Sequence, residues 1–90
     1  MEKAFFVSIL TPQEIIYSGK AISLVVPAQL GYLGILANHA PLAANIVGGK
    51  ITLKTENGKV VNIAVTERGF LEVLQNKVRL MLSAAQIINR

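Results

Sequence analysis

KITLKTENGKVVNIAVT, residues 50–66, holds two alternating apolar–polar runs on either side of one Asn-Gly pair. Side chains in a strand alternate between faces, so each run has one face to bury and one to leave in water. Ile51, Leu53 and Thr55 fall on one side, and Lys50, Thr52 and Lys54 on the other. Asn57-Gly58 suits a two-residue type I′ turn, which needs positive φ at both central positions. The stretch therefore predicts a β-hairpin with one buried face, and Val61, Ile63 and Val65 join that face.

The same grammar extends in both directions. GFLEVL (69–74) and KVRLML (77–82) predict a second hairpin about Gln75-Asn76. Leu71, Val73, Val78, Leu80 and Leu82 would point inward, with Glu72 and Arg79 on the opposite face. Upstream, FFVSIL (5–10) ends at Thr11-Pro12, EIIYSG (14–19) closes on Ser18-Gly19, and ISLVVP (22–27) stops at proline. YLGIL (32–36) is a further short strand. HAPLAANIVGG (39–49) reads as a turn followed by a strand, because its apolar run ends in β-branched residues and two glycines. SAAQIINR (83–90) could begin a helix with Ser83 as its N-cap. Short strands at this spacing predict an all-β antiparallel sandwich or barrel.

Ninety residues make one domain. Hydrophobic residues are 52% of the chain without counting glycine, above the roughly 45–50% usual with glycine included. A core this small cannot absorb them all, so some apolar surface is expected to face a partner. Charged residues are only 16%, and the net charge of +4 comes from scattered lysines and arginines. No stretch reaches the roughly 18 apolar residues of a membrane span, and MEKAFFVSIL lacks a cleavage site after its short apolar run. The chain reads as soluble and cytosolic in type.

These residues offer little chemistry. There is no cysteine and one histidine, His39, so a thiolate or multi-histidine metal site is excluded. Five scattered glutamates and His39 make no acid–base pair, and no serine sits in a nucleophile elbow. No metal and no cofactor are expected. On the residues alone, His39 reads first as a turn residue whose ring bonds a backbone group, with a docking role as the alternative. Nucleic acid is not expected as a partner, because Phe5, Phe6, Tyr17, Tyr32 and Phe70 are spread out and do not interleave with the lysines. A small β-sandwich ligand-binding or carrier module remains the alternative function. Lys59 follows a hairpin tip as carrier lysines do, but ENGKVV matches neither a biotinyl nor a lipoyl tip.

Three blocks carry a resemblance: IYSGKAISLVVP, GYLGILANHAPL and GFLEVLQNKVRLML, in this order and spacing. Together they resemble the N-terminal domain of the epsilon subunit of bacterial F-type ATP synthases, the delta subunit of mitochondria. The similarity runs from about Phe5 to about Ala85. It implies a flattened antiparallel β-sandwich of about ten strands, spanning residues 1–85, with 86–90 as a short tail and no C-terminal helical hairpin. It implies a non-catalytic rotor subunit at the foot of the central stalk, within a complex that is itself the enzyme. The subunit would link gamma to the c-ring and couple proton flow to ATP synthesis. It would sit peripherally at the cytoplasmic face of the inner (plasma) membrane, held there only through the complex. The resemblance assigns Thr11, His39, Leu42, Ala44 and Ile46 to the gamma contact. It assigns the loop of Ala28, Gln29, Leu30, Gly31, Tyr32 and Leu33 to the c-ring contact.

The chain departs from the family pattern at three places. The family loop is usually of the type GEDGELGIL, whereas AQLGYLGIL has no carboxylate, so Tyr32 or Gln29 is expected to replace an acidic contact. The usual Pro-Gly before the histidine is Ala37-Asn38, and asparagine tolerates the left-handed turn. The sequence stops at Arg90, where the family continues into helices that can inhibit ATP hydrolysis. A chain of this length is expected to support coupling without that inhibition.

Overall fold

The computed structural model describes residues 3–89. Met1 and Glu2, at the start of the expected sandwich, and Arg90, at the end of the expected tail, lie outside them. The described residues form nine strands and no helix. In chain order these are β1 (Phe5–Leu10), β2 (Ile15–Ala28), β3 (Gly31–Ile35), β4 (Leu42–Ile46), β5 (Gly49–Thr55), β6 (Val60–Val65), β7 (Gly69–Leu74), β8 (Lys77–Leu82) and β9 (Ala85–Asn89). Hydrogen bonds link them in the order β1-β8-β7-β4-β2-β5-β6-β9, with β3 also on β2 and β1 closing back onto β2.

The long strand β2 organises the two layers. Its first half pairs with β1, from Phe5↔Ala21 to Leu10↔Ile15. Its second half pairs with β5 on one side and β3 on the other. A register shift between Ala21 and Ser23 lies at the change of partner, where a bulge sharpens strand twist. The first layer is thus β2-β1-β8-β7-β4 and the second β3-β2-β5-β6-β9. Counted once in each layer, β2 brings the nine elements to the ten strands that the resemblance implies. β1 and β8 run parallel, unlike every other pair.

Between the layers lies one wholly apolar core. Val7, Ile9, Leu71, Val73, Val78 and Leu80 come from the first layer, and Leu24, Val26, Ile51, Leu53, Val61, Ile63 and Val65 from the second. No polar or charged side chain is buried among the described residues. All eight expected core positions on β6, β7 and β8, Leu82 included, are buried, and Glu72 faces Arg79 outside at 3.9 Å. Such an exposed pair contributes roughly 0–1 kcal/mol.

Three local expectations are corrected. Ser18-Gly19 and Pro27 do not divide β2. Ser18 and Gly19 pair with Ser8 and Val7 of β1, and the Pro27 carbonyl accepts the Val47 N–H at 2.8 Å. Asn57-Gly58 is not a type I′ turn, because only Gly58 has positive φ, at 85°. Gly58 N–H donates to the Thr55 carbonyl at 3.0 Å and Thr55 N–H to the Lys59 carbonyl at 2.8 Å. This is a three-residue loop ending in a glycine bulge. The type I′ geometry belongs instead to Gln75-Asn76, at φ 50° and 61°. The helix considered at the C-terminal end is strand β9, antiparallel to β6, with Ala85 and Ile87 packed on the core. The seven residues that follow Ser83 make fewer than two helical turns, too few for a stable helix, whereas each residue added to a sheet edge gains ladder bonds at once.

Candidate functional site

Three loops hold the residues singled out from sequence. The first is the β2–β3 tip. Gly31, at φ 128°, turns the chain there, and Leu30 stands fully exposed. The loop is held from behind. Gln29 N–H donates to the Asn45 carbonyl at 3.0 Å, and Asn45 Nδ2 donates to Gln29 Oε1 at 3.1 Å. Tyr32 Oη accepts the Lys50 N–H at 3.3 Å. The Tyr32 hydroxyl can reach β5 because residue 49 is glycine: a Cβ there would lie 2.8 Å from Pro27 Cβ and 2.9 Å from Tyr32 Oη. Between the tip and β4 lies an open groove of about 420 Å³, lined by Leu30, Tyr32, Leu33, Leu42 and Ala44 among others. Gln29 and Tyr32, expected to stand in for an acidic contact, thus engage Oε1 and Oη within the fold, and Leu30 is the most exposed apolar side chain of the tip.

The second is the β3–β4 loop. Asn38 takes φ 64° and is tied to the β7–β8 turn. Asn38 N–H donates to Asn76 Oδ1 at 2.5 Å, and Asn76 Nδ2 donates to Asn38 Oδ1 at 3.2 Å. His39, half-buried, places Nδ1 2.8 Å from the Ala40 carbonyl oxygen. A carbonyl can only accept, so Nδ1 carries the proton and Nε2 of the neutral ring is an acceptor. The turn-residue reading of His39 is thereby met. A shallow recess of about 370 Å³ lies among Asn38, His39, Ala40, Pro41, Gln75 and Asn76.

The third is the β1–β2 turn. Thr11 N–H donates to the Glu14 carbonyl at 2.9 Å, and Glu14 N–H donates to Thr11 Oγ1 at 3.3 Å. Thr11 and His39 do not meet. Asn76, which holds the His39 loop, also binds Phe6 N–H through its carbonyl at 3.0 Å, at the start of β1. Thr11 follows the end of β1. At about 3.3 Å per residue the strand separates the two by more than ~15 Å.

On β4 the burial alternates, and the residues expected at the gamma contact occupy its inner phase. Leu42 and Ala44 are half-buried against the core, and Ile46 has no exposed surface. Ile46 is therefore a core residue and cannot present its side chain to a partner. Ala43 and Asn45 face outward in its place. Sequence reasoning also passed over a row on the outer face of the first layer. Ladder pairing aligns Phe70 with Met81, Met81 with Leu10, and Leu10 with Ile15 across β7, β8, β1 and β2. Phe70, Met81 and Ile15 are 41%, 40% and 65% exposed. The alternation of β7 and β8 carries the signal: Phe70, Leu74 and Met81 are apolar at positions out of phase with the core, beside the charged Glu72, Lys77 and Arg79.

Among the described residues no cluster of three or more His, Asp or Glu side chains could hold a metal ion. The site's resources are apolar surface, backbone polarity and one imidazole. Residues 4–87 match the family described as ATP synthase, Delta/Epsilon chain, beta-sandwich domain. The chain belongs to this family. It is 35% identical over 85 residues to the ATP synthase epsilon chain of Natranaerobius thermophilus, covering 94% of this chain and 60% of that one. It is 44% identical over 75 residues to the epsilon chain of Leptospira borgpetersenii, covering 83% and 58%. The chain thus spans about three fifths of the curated relatives it matches. A chain of the Euglena gracilis mitochondrial ATP synthase superimposes with a TM-score of 0.86 at 19% identity, over 97% of this chain and 56% of that one. A chain of the Tetrahymena thermophila mitochondrial enzyme's central stalk and c-ring gives 0.74 at 13%, over 93% and 66%. At those identities the likeness concerns the fold. The delta/epsilon sandwich is the shared unit, and all three loops described above fall inside it.

Proposed function

We propose that this delta/epsilon sandwich is a non-catalytic body of the rotor stalk, joining the gamma subunit to the c-ring so that proton flow drives ATP synthesis. The observation that supports this reading is exposed apolar side chains at two separate places on one fold. The first is the outer face of the β2-β1-β8-β7-β4 layer. Its apolar row of Phe70, Met81, Leu10 and Ile15 crosses β1 beside Thr11, and the His39 recess lies at the other end of that strand. We assign it to gamma, with Ala43 and Asn45 in the contact and Leu42 and Ala44 supporting from beneath. The second is the β2–β3 tip, Ala28 to Leu33, assigned to the polar loops of the c-ring, with Leu30 as its apolar contact. Both partners belong to a membrane-bound machine, so the chain is peripheral, on the cytoplasmic side, through the complex.

Apolar residues at the centre of an interface contribute most when water is excluded around them. Met81→Lys should therefore weaken capture of gamma at least about tenfold while leaving the β-sheet spectrum unchanged. His39→Ala should weaken it by a smaller factor. Calorimetry against purified gamma, and co-purification with c-rings in detergent, measure the two contacts separately. Gamma affinity unaffected by Met81→Lys would remove the outer face from the interface.

A further inference from the structure

We propose that Asn76 is a positioning residue: its carboxamide, closing a reciprocal hydrogen-bonded pair with Asn38, holds the β3–β4 loop so that His39 offers Nε2 as an acceptor to the docked partner. The partner part rests on the gamma assignment above; the clamp itself does not. Asn38, Gln75 and Asn76 are the non-glycine residues at positive φ among the described residues, and all three line the recess beside His39. Left-handed backbone at residues other than glycine is held only where its surroundings demand it, and it gathers at functional sites. Glycine would satisfy the turn at 76 at lower cost. Asparagine adds a carboxamide, and both of its polar atoms are spent 38 positions away in sequence. Its orientation is forced: rotating the amide by half a turn would set its NH2 against the Asn38 N–H. The Asn76 carbonyl also takes the Phe6 N–H, so one residue registers β1, the β7–β8 turn and the His39 loop together. The Nδ1 bond to Ala40 then fixes the tautomer. The complementary group on the partner is a hydrogen-bond donor, such as a hydroxyl or an amide N–H.

The test uses the whole 90-residue chain with Asn76→Gly, which keeps the turn conformation and deletes the carboxamide, and Asn76→Asp, which keeps the acceptor for Asn38 N–H. Ring nitrogen NMR should show the Nδ1–H tautomer dominant in the unchanged chain and mixed in Asn76→Gly. Exchange of the Asn38 amide should accelerate at least about tenfold in Asn76→Gly and much less in Asn76→Asp. Melting temperature should hold or rise, since glycine relieves the turn, while gamma affinity falls severalfold, by no more than His39→Ala lowers it. In an His39→Ala background, Asn76→Gly should cost no further affinity. An unchanged ring spectrum and unchanged Asn38 exchange in Asn76→Gly would overturn the clamp. Equal affinity losses with and without His39 would overturn its positioning role. Ring and exchange changes as expected, in a chain that never binds gamma, would leave the clamp standing and defeat the gamma assignment instead.

Discussion

Leu30 and Tyr32 sit two residues apart in one loop with opposite fates. Tyr32 lays its hydroxyl on the Lys50 N–H, whereas Leu30 contacts nothing of the fold. Leu30→Ser should shift stability by less than about 0.5 kcal/mol, since no packing is lost. On the assignment above it should still weaken c-ring co-purification several-fold; chemical denaturation and co-purification together check the pair of outcomes. Tyr17 gives a pH prediction. Burial raises its phenol above the usual 10.0, and its hydroxyl donates to the Lys20 carbonyl at 3.3 Å. A raised phenol favours the protonated form in the folded state, so the unfolded chain loses its proton first. Stability should be indifferent to Tyr17 below about pH 9 and decline as pH climbs through 10 and above. Tyr17→Phe should remove that part of the alkaline slope in denaturation series. At this scale the loops were legible as the turns between strands, but the inward phase of β4 was not. Leu42, Ala44 and Ile46 are the apolar phase, and on a half-buried strand that phase belongs to the core.

Strand phase was readable wherever alternation was clean, as on β6, β7 and β8. Punctuation misled where a strand changes partners. Gly19 and Pro27 lie inside β2, where they read as stops, because a strand switching layers tolerates residues a central ladder would reject. The same logic hid β9, whose few residues show too little period to separate a strand from a frayed helix. Its contribution can be measured. Truncation after Ser83 removes Ala85 and Ile87 from the core edge and unpairs β6. Fully burying an isoleucine contributes about 1.5–3 kcal/mol; Ile87 is half-buried, so the truncated chain should lose at least about 1 kcal/mol in urea. An unaltered midpoint would mean that β9 adds nothing to the sheet.

The whole molecule is built from distant pairings. β1 lies beside β8 at the far end of the sequence and closes the first layer against β2. Topologies dominated by non-local strand pairs fold in milliseconds to seconds, and stopped-flow refolding should place this chain there, not among microsecond folders. Removing packing inside the closed layer should be costly: Leu80→Ala, at a fully buried site, should lose about 2–5 kcal/mol by equilibrium denaturation.

The continuity of β2 has a mechanical consequence. In most sandwiches the two layers are joined by side-chain packing and by loops, and a sideways load can slide one over the other. Here a single covalent backbone of 14 residues enters one layer and leaves in the other. Slippage would have to break the β1 ladder, the β3 ladder and the β5 ladder on the same strand together. Hydrogen bonds loaded along the strand share the strain; those peeled from an end fail one after another. The body should therefore be stiff to a load along β2 and yield more readily where β9 or β4 can be peeled away. Pulling a tethered chain from chosen pairs of surface positions would read that anisotropy as a difference in rupture force.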